Sequence, residues 1–66
     1  MRIEVNHDGK VLPIESEGPI TISEILEKLG IPSSTVLAVH DDTIVPHNSV
    51  IEGDLTLELV IVSSGG

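Results

Sequence analysis

In RIEVNH, near the start of the chain, apolar and polar residues alternate. Ile3 and Val5 fall on one side; Arg2, Glu4 and Asn6 fall on the other. A period of two marks a half-buried strand. Asp8-Gly9 follows, a pair that favours a two-residue hairpin turn. KVLPIE is therefore the return strand, with Leu12 and Ile14 facing the same core. Pro13 has no N–H to give to a ladder, which places this strand at a sheet edge.

The period then changes. In ITISEILEKLGIP, the residues Ile22, Ile25, Leu26 and Leu29 recur at i, i+3, i+4 and i+7, one face of a helix. Thr21 is placed to cap it, and Glu24 three residues later completes a capping box. Ile20 before the cap and Ile25 in the second turn are spaced for a hydrophobic staple. At the far end Gly30 suits a left-handed cap, Ile31 is placed to touch Leu26, and Pro32 prevents resumption. The pattern predicts a helix over Thr21–Leu29.

Three further strands follow. TVLAVH is apolar on both faces. Asp41-Asp42 turns it into the short strand Thr43-Ile44-Val45, stopped by Pro46. HNSVIEGD reads as an irregular connection ending in a Gly-Asp turn. LTLELVIV is the last and longest strand. Leu55, Leu57, Leu59 and Ile61 share its inward side, while Thr56, Glu58, Val60 and Val62 point out. Its apolar character puts it at the centre of the sheet. The order of strand, strand, helix, strand, strand, strand predicts an α+β fold, a mixed five-stranded sheet with one main helix across one face. The expected core is Ile3, Val5, Leu12, Ile14, Ile25, Leu26, Leu29, Leu37, Val39, Leu57 and Leu59.

Composition narrows the function. At 66 residues the chain is one domain, in which only about 60% of the unfolded chain's surface is buried. It has no Cys, so neither a disulfide nor a thiolate metal site supports it. Three Lys and Arg against eleven Asp and Glu give a formal charge of -8, and there is no aromatic residue. Such a chain is repelled by phosphate backbones and anionic lipid surfaces and has nothing to stack on a base. Direct nucleic-acid binding is not expected, and a basic protein partner is. No apolar run approaches the ~20 residues of a membrane span, and MRIEVNH does not form a signal-peptide core. The expectation is a cytoplasmic monomer.

The element order, with Gly65-Gly66 directly after the last strand, resembles the ubiquitin-like β-grasp sulfur-carrier family. Its members include the thiamine sulfur carrier and the small subunit of molybdopterin synthase (the ThiS/MoaD type), the ubiquitin-related modifier and the archaeal small modifier proteins. The matching stretches are RIEVN, TISEILEKLGIP, VLAVHDDTIVP, EGD before the last strand, and the final GG. They cover most of the chain. Many carriers have Asn-Gly where this chain has His40-Asp41, and bulkier residues often precede the GG where Ser63 and Ser64 stand here.

The resemblance implies a domain over 1–62 and a flexible tail over 63–66 that needs no processing. It implies that an activating enzyme, akin to the ubiquitin-activating adenylyltransferases, adenylates the Gly66 carboxylate with ATP and Mg²⁺. A sulfur donor enzyme then leaves a thiocarboxylate on Gly66, or an amine of a target protein forms an isopeptide bond. The chain itself binds no cofactor in this scheme and is a carrier and substrate rather than an enzyme. Gly65 and Gly66 suit a narrow channel, because glycine permits close backbone approach. Lys10 and Lys28 are the only lysines and hence the side-chain acceptors for self-conjugation. Val36, Ala38, Val60 and Val62 are expected to form an outward apolar patch where the activating enzyme docks. The pathway served stays open among tRNA thiolation, thiamine synthesis and molybdopterin synthesis.

Plainer readings of the same residues exist. Two terminal glycines arise by chance in roughly 0.5% of chains at an average usage of ~7%, and termini tolerate glycine because they fray. The alternative to a carrier is thus a β-grasp interaction module whose tail does nothing. His7, His40 and His47 lie in expected turns without ligand spacing, so no metal site is expected. Asp41-Asp42 reads as turn chemistry, Ser63 and Ser64 have no base beside them, and no Gly-rich phosphate loop is present.

Overall fold

Two left-handed residues, Asp8 (φ 53°) and Gly9 (φ 77°), close the first hairpin, the conformation that a type I′ turn requires. They join β1 (Arg2–His7) to β2 (Lys10–Glu15) as antiparallel neighbours, with Ile3 opposite Ile14 and Val5 opposite Leu12. The computed structural model describes residues 1–62. The boundary expected after Val62, and the mobility expected of Ser63 to Gly66, lie outside the described residues.

The helix α1 (Ile22–Leu29) forms as its periodicity requires. Thr21 Oγ1 accepts from Glu24 N–H at 3.2 Å, and Glu24 Oε1 accepts from Thr21 N–H at 3.1 Å. Two backbone donors of the first turn remain. Ile22 N–H donates to the Ser49 carbonyl at 3.2 Å and Ser23 N–H to the His47 carbonyl at 3.0 Å. All four N–H groups that a helix start leaves unpaired are therefore satisfied, half of them by a segment over twenty residues away in sequence. At the other end Gly30 is left-handed (φ 74°). Its N–H reaches the Glu27 carbonyl at 3.1 Å, and Ile31 N–H reaches the Leu26 carbonyl at 2.9 Å, the paired bonds of a Schellman motif.

The remaining strands are β3 (Ile20–Thr21), β4 (Val36–His40), β5 (Thr43–Val45), β6 (Val50–Ile51) and β7 (Leu55–Ile61). Five of the seven form one sheet in the order β2-β1-β7-β4-β5. β1 and β7 run parallel while the other neighbours run antiparallel, so the sheet is mixed. The longest strand is central and Pro13 lies on an edge, as the patterns predict. The domain is a small α+β fold with a five-stranded mixed sheet and one α-helix.

Two features lie outside what the hydrophobic pattern predicts. β3 and β6 pair as a separate two-stranded ribbon, and Ser33–Thr35 form a 3₁₀ turn. The HNSVIEGD segment is thus only partly irregular. Its ribbon buries Ile20 and Ile51 and brings His47 and Ser49 onto the helix start.

The core lies between α1 and one face of the sheet. Ile3, Val5, Ile14, Ile25, Leu26, Leu57 and Leu59 are buried as expected, joined by Ile20, Ile22 and Ile51. Leu12 and Leu29 pack half-buried against it. Leu37 and Val39 are a correction. They are not in the core, and Val36 and Ala38 take their place.

Left-handed positions make a paired stability test. A Cβ at Gly30 would meet nothing within 4 Å, so Gly30→Ala should cost only backbone strain, about 1 kcal/mol. Asp41 (φ 53°) and Asp42 (φ 64°) close the β4–β5 hairpin without a glycine. Asp42→Gly should therefore raise stability, by a few tenths to about 1 kcal/mol. Urea midpoints read by far-UV circular dichroism should move in opposite directions. Movement of both the same way would contradict this account of the two turns.

Candidate functional site

β7 carries the chain toward its last residues, and its two neighbours accompany it to different heights. The parallel ladder with β1 ends at Asn6–Glu58. The antiparallel ladder with β4 continues to Val36–Ile61, and Val62 N–H donates to the Thr35 carbonyl at 2.8 Å. The strand thus leaves the sheet from its middle. Gly65 and Gly66, the expected attachment residues, lie outside the described residues together with Ser63 and Ser64.

Of the four residues expected to form a docking patch, the structure keeps two. Val60 is 42% and Val62 37% exposed, whereas Val36 is 2% and Ala38 0% exposed. Val36 and Ala38 are core residues and form no outward patch. The reason is register. Directly opposite residues of a ladder share a face, and Ala38 stands opposite Leu59, which is buried. Leu37, opposite Val60, and Val39, opposite Glu58, consequently take the open face. VLAVH is apolar on both sides, so its alternation has no phase to read, and a shift of one residue exchanges the two faces.

The open face that results is apolar near the end of β7. Leu37 pairs with Val60, and Val39 pairs with Ile44 on β5. Ile44 is 61% exposed and was not anticipated as a surface residue. Acids border this patch. Glu58 stands directly across from Val39, and Asp41 and Asp42 close the adjoining turn. A shallow cleft there is lined by Val39, His40, Asp41, Asp42, Thr56 and Glu58. Ile61 differs from expectation in another way. It has the inward parity of β7 but is 59% exposed, so aliphatic side chains emerge on both faces where the strand ends.

The other candidates are dispersed. Lys10 opens β2 opposite His7 and is exposed. Because β1 is parallel to β7, the turn before Lys10 lies at the end of the sheet toward which β7 runs. Lys28 is exposed in the last turn of α1. His40 Nδ1 lies 3.0 Å from the Thr56 carbonyl oxygen, and His47 Nε2 lies 3.1 Å from that of Val36. Both rings engage main chain. Among the described residues no three His, Asp or Glu side chains are grouped to hold a metal ion, and no polar side chain is buried. Among the same residues no helix is long and apolar enough to cross a membrane.

The chain is 44% identical over 62 residues to an uncharacterized protein of Archaeoglobus fulgidus, an alignment covering 94% of this chain and 90% of the other. No protein-family model matches it.

Proposed function

The chain belongs to one family with the uncharacterized Archaeoglobus fulgidus protein, and we propose that it is a ubiquitin-like carrier or modifier of β-grasp fold whose Gly66 carboxylate is the reacting group. The observation that carries this reading is the course of β7. A central strand leaves the middle of the sheet beside an open apolar face, and Gly65-Gly66 follow four residues after its last ladder pair. In this reading the Gly66 carboxylate reacts in the site of another protein, and the open face beside the end of β7 is what that protein recognises.

The chemistry belongs to the activating enzyme. A Gly66 carboxylate oxygen attacks the α-phosphorus of ATP, and pyrophosphate leaves with Mg²⁺. In the resulting mixed anhydride the carbonyl carbon is electrophilic and AMP is the leaving group. A persulfide sulfur of the donor enzyme displaces AMP, and a thiol then reduces the acyl disulfide to release the thiocarboxylate. Alternatively, a lysine amine of a target protein displaces AMP, loses its proton and forms the isopeptide bond. The domain itself binds no cofactor in this scheme, and its role is recognition.

Recognition falls to the open face in this reading. Leu37, Val39, Ile44 and Val60 are desolvated on contact, while Glu58, Asp41 and Asp42 steer a basic surface toward them. A Val60→Asp variant places a charge at the centre of that patch on an exposed position, so it should fold normally. With a purified activating enzyme, ATP–pyrophosphate exchange should fall by at least roughly tenfold, the effect of about 1.4 kcal/mol. Exchange at the parental rate in folded Val60→Asp and Val39→Asp proteins would remove the face from the proposal and leave the tail alone.

The plain interaction module, with an idle tail, is the second reading. The apolar face favours it equally, and only the terminus separates the two.

A further inference from the structure

The unequal ladders of β7 leave main-chain groups open inside the sheet. Successive residues of a strand direct their N–H and C=O groups to opposite sides. Val62 directs its N–H to β4, so Ile61 directs its own N–H and C=O to the other side. There β1 has already ended and turned at Asp8-Gly9. The parallel ladder with β1 stops at Asn6–Glu58, three residues short of Ile61, and among the described residues no turn or loop main-chain group bonds to it. Val60, Ile61 and Val62 are also exposed, at 42%, 59% and 37%.

The true edges of the sheet are treated differently. β2 carries Lys10 and Pro13, and β5 is only three residues long. Charge, proline and brevity are the usual means of keeping an edge from pairing with other chains. The open stretch of β7 after Glu58 is short as well, but it carries neither charge nor proline and is aliphatic on both faces.

We propose that this edge receives an extended segment of a partner protein as an added strand, in the line that β1 vacates after His7. The open N–H and C=O of Ile61 call for main chain, which fixes the occupant as an extended backbone. Val60 and Val62 on one face and Ile61 on the other call for aliphatic side chains. Eleven acidic residues against three basic ones, with Asp8 and Glu58 adjoining the notch, call for lysine or arginine at the flanks. The same charge disfavours a second copy of this chain. The inference goes beyond the carrier reading and does not rest on any reaction at Gly66.

The probe is an acetylated, amidated five-residue peptide with a Val-Ile-Val centre and a lysine at each end, titrated into the ¹⁵N-labelled protein. In the free protein the Ile61 amide should exchange with solvent much faster than the Val60 amide, which faces β4. On titration, saturable shifts should be confined to Leu59–Val62 and to residues 7–10, and exchange at Ile61 should slow. Methylating the central peptide nitrogen, or introducing Ile61→Pro, should weaken binding by roughly tenfold, the loss of one main-chain hydrogen bond. Ile61→Val should bind as the parent. Slow exchange at Ile61 in the free protein would overturn the proposal. So would shifts centred on β5 or the open face, no saturable response, equal binding of the methylated peptide, or dimerisation of the chain.

Discussion

Leu57→Ala is expected to unfold a large part of the protein. Leu57 is 0% exposed at the middle of the central strand. It stands opposite Val5 on β1, itself fully buried, and beneath the Ile22, Ile25 and Leu26 face of α1. Truncation removes one methine and two methyl carbons and leaves a cavity, at a cost of about 2–5 kcal/mol. At a typical ~0.05–0.15 kcal/mol per residue, a chain of this length has roughly 3–10 kcal/mol in all. No disulfide compensates. Val60→Ala, at an exposed position of the same strand, should change stability by less than about 0.5 kcal/mol. The chain has no Trp, Tyr or Phe, so fluorescence is silent and urea titrations are read by far-UV circular dichroism. A loss below about 1 kcal/mol for Leu57→Ala would mean that the core is not centred where the strand order puts it.

Deleting Gly66 is expected to abolish activation while leaving the fold and the docking face unchanged. The truncated chain still ends in a glycine carboxylate, on Gly65, but that group falls one residue short of the ATP α-phosphorus, at most about 3.6 Å of reach. Misplacement on this scale costs far more than an equal change in affinity, because in-line attack demands near-contact geometry. Pyrophosphate exchange should drop to background. The truncated protein should then act as a competitor of the full chain, since Leu37, Val39, Ile44 and Val60 remain to bind. Retained exchange would show that the terminus is not the reacting group. Loss of exchange without competition would show that binding resides in the tail and not in the sheet.

What was legible in the sequence was whatever neighbouring residues decide. The Thr21–Glu24 box, the Gly30 cap and the Asp8-Gly9 turn each depend on a few adjacent side chains, and each appears where the pattern puts it. The central place of β7 was legible because a strand of seven residues with so few polar positions has to be covered on both sides. The face of β4 was not legible, because Val36 to Val39 are apolar at every position and only the partner Leu59 selects which pair is buried. The ribbon of β3 and β6 was hidden for a similar reason. Two residues per strand carry no periodicity, and Ile20 and Ile51 are joined only by the fold. For the candidate site, Val60 and Val62 followed from alternation in a strand with a clear phase. Leu37, Val39 and Ile44 required the register. The free edge at Ile61 required the endpoints of two ladders, and no local pattern encodes those.

The central claim is that Gly66 carries a reactive acyl group, and the mass of the protein from its own cells tests it most directly. The chain is purified rapidly, and its intact mass and C-terminal peptide are measured. The account predicts a fraction in which one oxygen of the Gly66 carboxylate is replaced by sulfur, or in which Gly66 is joined through its carbonyl to a lysine of another protein. A population ending uniformly in an unmodified Gly66 carboxylate, or continuing past Gly66, and giving no pyrophosphate exchange with the cell's own activating enzymes, would contradict it.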